Sequence, residues 1–136
     1  MRNIEYIAVH CTATPLNTKV DNILKYWKET LKWNVPGYHY IIEADGKINN
    51  LYTEDRPTNG VAGWNSKIVN VCYIGGVDSK NKAVDNRTDS QKESLIKLLK
   101  QLKVKYPKAI IQGHRDFPNV KKDCPSFDAK EEYKDL

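Results

Sequence analysis

A histidine and a cysteine, His114 and Cys124, share one short stretch, GHRDFPNVKKDCPSFD, at residues 113–128. The chain has only three histidines and three cysteines, so this stretch takes a large share of its metal-ligating side chains. An imidazole nitrogen and a thiolate together suit zinc, and Lys121 and Lys122 place positive charge just before the cysteine. A catalytic zinc takes three protein ligands and keeps a fourth position for a water, which it activates. The third ligand must come from elsewhere in the chain. His10 ends the apolar run Ile4 to Val9, where a strand passes into the loop Cys11-Thr12-Ala13-Thr14-Pro15. Strand ends of open α/β sheets are where sites gather. His39 lies inside a second strand-like run, GYHYII, so His10 is the preferred ligand. Taken singly, each histidine reads more simply as hydrogen-bonded structure, and the residues alone leave both readings open.

The elements that would position these groups can be read from periodicity. Residues 109–113 form a strand delivering the chain to His114, and Pro118, Asn119 and Cys124-Pro125 make the following segment an ordered loop. Residues 4–10 are nearly continuously apolar, which predicts an interior strand. Alternation then turns Cys11 to the face opposite His10. Val20, Ile23, Leu24, Trp27 and Leu31 recur at helical spacing and predict an amphipathic helix over 20–33, stopped by Asn34-Val35-Pro36-Gly37. Residues 38–43 and 47–52 read as a hairpin turning at Asp45-Gly46. Alternation there puts Tyr38 and Tyr40 on one face and His39 on the other.

A turn-rich loop runs from Thr53 to Asn70, and its Trp64 could either stack on a sugar ring or cap the core. A buried strand follows at 70–77, with Cys72 as a small core residue, and residues 78–87 read as a surface loop. Thr88 and Gln91 have capping-box spacing for a helix that reaches about Tyr106, burying Leu95, Leu98, Leu99 and Leu102. A short helix is expected over 128–133. Strands alternating with two long helices, with one hairpin among them, predict an α/β fold: a mixed central β-sheet flanked by α-helices, as a single domain over residues 1–136.

The length is enough to bury a real core. No apolar stretch reaches the length of a membrane span, so no stable membrane association is expected. Met1-Arg2-Asn3-Ile4 leads almost directly into a strand with no secretory apolar region, so synthesis in the cytoplasm is expected. The cysteines lack the paired spacing of a disulfide framework. A net charge of +5 favours an anionic partner. With no phosphate-binding glycine loop and no nucleic-acid module, that partner is not expected to be nucleic acid.

VHCTAT at residues 9–14, GYHYII at 37–42, GWN at 63–65, CYIGG at 72–76, GHRD at 113–116 and CPSFD at 124–128 occur in that order. Together they resemble the zinc-dependent N-acetylmuramoyl-L-alanine amidases of type 2, a family that includes phage lysozyme-type amidases and peptidoglycan recognition proteins. The likeness covers nearly the whole chain. It implies a Zn2+ held by His10, His114 and Cys124, with Tyr38 and Lys122 as catalytic groups facing it and Trp64 and Asn65 contacting substrate. It also implies hydrolysis of the peptidoglycan amide between the lactyl group of N-acetylmuramic acid and L-alanine. The setting implied is a monomeric phage or prophage endolysin that acts on the cell wall after release from the cytoplasm. The alternative is a peptidoglycan-binding module without activity; such relatives typically lack the cysteine, whereas Cys124 is present here. One departure from the pattern is Val61, where relatives often carry a substrate-contacting histidine. Asp116 reads either as a partner orienting a ligand histidine or as an exposed loop aspartate.

Overall fold

The two most apolar runs of the chain pair in the middle of the sheet. In the computed structural model, which describes residues 2–136, β1 (Tyr6–Cys11) runs parallel to β4 (Ile68–Tyr73) in the register Tyr6 with Ile68 through Cys11 with Tyr73. Strands buried on both faces read as continuous apolar runs, and every residue of β4 is buried. The other strands are β2 (Tyr40–Ile42), β3 (Ile48–Asn50) and β5 (Ile110–Gly113), in the order β3-β2-β4-β1-β5. Among these strands of the described residues, only β2 and β3 pair antiparallel, through the expected hairpin. This is the mixed sheet that the pattern of elements predicts, and β1 is interior, with β4 on one side and β5 on the other.

Alternation along the interior strands divides the side chains between two layers. Ile7, Val9 and Cys11 of β1 and Val69, Val71 and Tyr73 of β4 join Leu95, Leu98, Leu99 and Leu102 of helix α2 (Asp89–Lys105) in the larger core. The opposite face packs Ile41 and Cys72 against Ile23 and Trp27. His10 and Cys11 therefore point to opposite faces, as alternation requires. The N-terminus of α2 carries the expected capping box: Thr88 Oγ1 accepts from the Gln91 N–H and Gln91 Oε1 accepts from the Thr88 N–H. Gln91 Nε2 also donates to the carbonyls of Ile42 and Ile74, which fastens the helix to the sheet.

Three expectations are corrected. The helix expected over 20–33 is a short α-helix, α1 (Val20–Lys25), continued by a single π-helical turn, Tyr26–Thr30. The wider turn shifts the apolar stripe beyond it, so Leu31 lies exposed while Trp27 is buried; Leu24, on α1 ahead of the turn, is exposed as well. Trp27 lies against Gly37, where a Cβ would sit 3.0 Å from Trp27 Cζ2. Secondly, Tyr38 and Tyr40 do not share a face. Regular strand begins only at Tyr40, and Tyr38 packs with Trp27 while Tyr40 packs with the α2 layer. Thirdly, the 78–87 connection is not surface throughout. Arg87 is buried, paired with Asp85 and Glu132 at 2.8 Å each, and its guanidinium lies 3.4 Å over the Phe127 ring. The pairing with Glu132 draws α3 (Ala129–Glu132) back onto the body of the fold. Among the described residues, no helix is long and apolar enough to cross a membrane.

Candidate metal centre

Strand register brings the two histidines together. Val9 of β1 is paired with Gly113 of the adjacent parallel β5, so His10 and His114, each one residue further on, leave neighbouring strand ends side by side. Their ring centroids are 4.8 Å apart. His114 opens a 3-10 turn, His114–Asp116, closed by a bond from the Gly113 N–H to Asp116 Oδ2 at 2.8 Å. Asp116 thus shapes the turn that presents His114 and remains exposed.

Cys124 arrives on the loop that follows. The Arg115 N–H donates to the Cys124 carbonyl at 2.9 Å, which ties the cysteine to the histidine turn. Tyr73 Oη donates to the Pro125 carbonyl at 2.6 Å and Ser126 Oγ to the Gly76 carbonyl at 2.8 Å. The Cys11 N–H points at Cys124 Sγ, 3.2 Å away. A Cβ at Gly113 would meet Pro125 Cδ at 2.6 Å, so the strand end and the cysteine loop approach this closely only with glycine there.

His10, His114 and Cys124 each offer one donor atom, and the three atoms lie within 4.8 Å of one another. Bond lengths of about 2.0–2.1 Å to nitrogen and about 2.3 Å to sulfur give tetrahedral edges of about 3.4–3.7 Å, so closing the set takes movements of about 1 Å. His10 uses Nε2 on Asn70 Oδ1 at 2.7 Å, while its Nδ1 faces Cys124 Sγ at 3.9 Å. Burial first, and then the neighbouring His114, pushes the His10 pKa down to about 3. Burial and then Lys122 push His114 down to about 4. Both rings are neutral at pH 7, the form that can ligate a metal. The donor set therefore fits a divalent cation with a preference for nitrogen and sulfur.

The Tyr38 ring stands 4.8 Å from the His10 ring and 5.4 Å from Trp27. Burial, followed by the nearby thiols of Cys72 and Cys124, raises its pKa well above the ordinary value, so it keeps its proton. Tyr38 and Lys122 line one groove of about 700 Å³ together with Thr12, Thr14, Asn22 and Trp27. Its lining mixes apolar side chains, Ile23 and Leu31 among them, with polar ones.

A family model described as N-acetylmuramoyl-L-alanine amidase (Amidase_2) matches residues 1–127. The chain belongs to that family. It is 38% identical over 125 residues to the endolysin of Klebsiella phage KP32, covering 91% of this chain and 82% of that protein. It is 39% identical over 121 residues to the endolysin of Enterobacteria phage K11, covering 88% and 79%. Among solved structures it resembles the Ph2119 endolysin from the Thermus scotoductus MAT2119 bacteriophage, with a TM-score of 0.79 at 23% identity over 92% of this chain and 79% of that one; this likeness is one of fold.

Within this amidase fold, five of the seven residues singled out from the sequence gather at one end of the sheet: His10, His114, Cys124, Tyr38 and Lys122. Trp64 and Asn65 do not join them. Trp64 packs edge-on against Tyr6 at 5.8 Å and against Phe117 at 5.7 Å. Tyr6 begins the strand that His10 nearly ends, four residues or about 13 Å away. This packing matches the core-capping reading of Trp64. Asn65 Oδ1 accepts the Val61 N–H at 2.7 Å. Val61 itself is buried among Ala8, Ile68 and Phe117, so its side chain faces the core. Sequence reasoning passed over Asn70, the partner of His10. Its one signal was an asparagine inside an apolar strand.

His39 is structural. Its Nδ1 accepts the Asn70 N–H at 3.0 Å and its Nε2 lies 2.7 Å from the Arg56 carbonyl. Burial is the main cause of a pKa lowered to about 4. An unfolded histidine titrates near 6.5, so between about pH 6.5 and pH 4 the unfolded chain binds a proton that the folded chain refuses. His39 therefore stabilises the fold above that window, and up to about 3 kcal/mol is lost as pH falls through it. Urea unfolding of the metal-free protein at pH 7.0 and pH 4.5 should show the loss, to which His10 and His114, also held low by burial, add their own. His39→Gln should shrink the pH difference by about 2 kcal/mol and leave their part in place. An unchanged pH difference in that variant would refute the assignment.

Proposed function

We propose that this family member is a zinc-dependent endolysin. It hydrolyses the amide between the lactyl group of N-acetylmuramic acid and L-alanine, releasing a lactyl carboxylate and a free alanine amine. The observation that carries this is the convergence of His10, His114 and Cys124 beside the groove that holds Tyr38 and Lys122. Zinc bound by those three side chains supplies an activated water and polarises the scissile carbonyl. The burial that keeps both histidines neutral leaves their lone pairs free for the ion. As the carbonyl becomes tetrahedral its oxygen gains negative charge. The Tyr38 hydroxyl, still protonated, donates to it, and the Lys122 ammonium offsets the charge. Lys122, the more exposed of the two, exchanges protons with solvent and passes one to the departing amine.

The groove, lined by Trp27, threonines and Lys122, suits a stem peptide. The net charge of +5 attracts a wall polymer that bears peptide carboxylates. Two relatives of high coverage are phage endolysins, which supports action on the wall after release. Incubation with purified peptidoglycan should create new amino-terminal alanine and no new reducing ends. A zinc chelator should stop the reaction and added zinc should restore it. New reducing ends would assign the cleavage to a glycosidic bond instead, and binding without cleavage would make the protein a recognition module.

A further inference from the structure

Behind His10 lies a chain of buried polar side chains whose proton positions are set from its far end. Two backbone groups fix the His39 tautomer. The Arg56 carbonyl, 2.7 Å from His39 Nε2, can only accept, so that nitrogen carries the hydrogen. The Asn70 N–H, 3.0 Å from His39 Nδ1, can only donate, so that nitrogen presents its lone pair. Arg2 Nη2 approaches Nε2 at 3.3 Å and gives one hydrogen to the Glu54 carbonyl at 2.7 Å; the shorter Arg56 contact, with the Asn70 N–H on the other nitrogen, fixes the tautomer. Thr58 Oγ1 lies 3.4 Å from the same His39 Nδ1, which directs the threonine hydrogen toward the ring. The threonine lone pairs then face Asn70 Nδ2, which donates to them at 2.7 Å. With its amide nitrogen so occupied, Asn70 turns Oδ1 to His10 Nε2 at 2.7 Å.

We infer that Asn70, oriented through Thr58 and His39, is a positioning residue that holds the His10 hydrogen on Nε2 and thereby aims the Nδ1 lone pair at the metal. The inference rests on the zinc reading above. The opposite amide orientation would present an N–H to His10 Nε2 and force the ring hydrogen onto Nδ1, where it would occupy the metal's place. His10, His39, Thr58 and Asn70 are each at most 1% exposed, so bulk solvent does not reach them to reset the pattern. Gly60 closes the space around the amide: a Cβ there would lie 2.2 Å from Asn70 Oδ1.

The test combines two readouts on the full chain. Long-range proton–nitrogen correlation of the histidine rings in metal-free protein at neutral pH should show His10 protonated on Nε2. Competition against a chromophoric chelator measures zinc affinity. Losing a group that orients a ligand typically weakens metal binding about 10- to 100-fold, which is the range expected for Asn70→Leu. Thr58→Val keeps the shape and removes the hydroxyl, and should weaken zinc binding about 10-fold, at the lower end of that range. Thr58→Ser should restore it. Should Asn70→Leu fail to fold, the two Thr58 variants decide the matter. A wild-type His10 protonated on Nδ1, or a Thr58→Val protein with undiminished zinc affinity, would overturn the inference. Failure of the wild-type protein to bind zinc would instead defeat the metal reading, and the ring spectrum would still report on the relay.

Discussion

Replacing Cys124 with serine is expected to abolish peptidoglycan hydrolysis while leaving the fold in place. Serine keeps the size of the side chain and can still accept the N–H of Cys11, which now points at Cys124 Sγ from 3.2 Å. The backbone bond from Arg115 to the Cys124 carbonyl does not involve the side chain. The half-buried Cys124 only borders the larger core, so little packing is lost. The stability cost should be about 1 kcal/mol, the scale of one neutral hydrogen bond. The chemical cost is far larger. A serine hydroxyl does not ionise at neutral pH, so the site loses its one anionic ligand and holds the cation through two imidazoles alone. Water activation and carbonyl polarisation are together worth at least about 4 kcal/mol, or about 1000-fold in rate. Purified Cys124→Ser should contain well under one zinc per chain, melt within a few degrees of the metal-free wild type, and fail to clear a peptidoglycan suspension. Clearing at the wild-type rate would show that Cys124 is not a ligand the reaction needs.

The candidate donor set was legible in the sequence because each of its members sits where a local signal changes. His10 stands at the end of an apolar run, His114 just past a strand opened by another, and Cys124 before a proline. What brings them together is not local. It is the pairing of Val9 with Gly113 and the closeness of Gly113 to Pro125, contacts between segments about a hundred residues apart or joined across a loop. Ordered family motifs stood in for that missing geometry. The larger elements followed from periodicity, and α2 with its capping box was read almost to the residue.

The failures have physical causes as well. Periodicity assumes 3.6 residues per turn, and one π-helical turn at Tyr26–Thr30 is enough to carry Leu31 off the buried stripe. Alternation assumes regular strand, and it failed at Tyr38 because extended pairing starts only at Tyr40. Arg87 looked like one more charge in a polar loop, since its partner Glu132 and the Phe127 face it stacks on lie 40 or more residues away. Asn70 and Thr58 escaped notice for a similar reason. A buried amide or hydroxyl declares its role only through its hydrogen-bond partners, and those partners come from other segments.

Removing Lys122 or the Tyr38 hydroxyl is expected to slow turnover while leaving zinc in place, and this separates their work from that of the ligands. The two groups approach the site from different elements: Tyr38 from the segment before β2, with its ring 4.8 Å from His10, and Lys122 from the exposed cysteine loop. Both border the same groove, and burial keeps the Tyr38 hydroxyl protonated. A donor aimed at a developing oxyanion acts mainly in the transition state, so its loss falls on kcat more than on KM. Lys122→Ala and Tyr38→Phe should each lower kcat by about 100- to 1000-fold with about one zinc per chain retained. Lys121→Ala, one residue away and outside the groove, should have little effect. If both groups serve the same oxygen, the double variant should lose less than the product of the single losses, because the second removal takes away a donor from an already impaired site. Independent multiplication of the two effects would assign them to separate steps, with Lys122 on the leaving amine. A Lys122→Ala enzyme that keeps wild-type kcat would place that lysine among the solvated charges of the surface, outside the reaction.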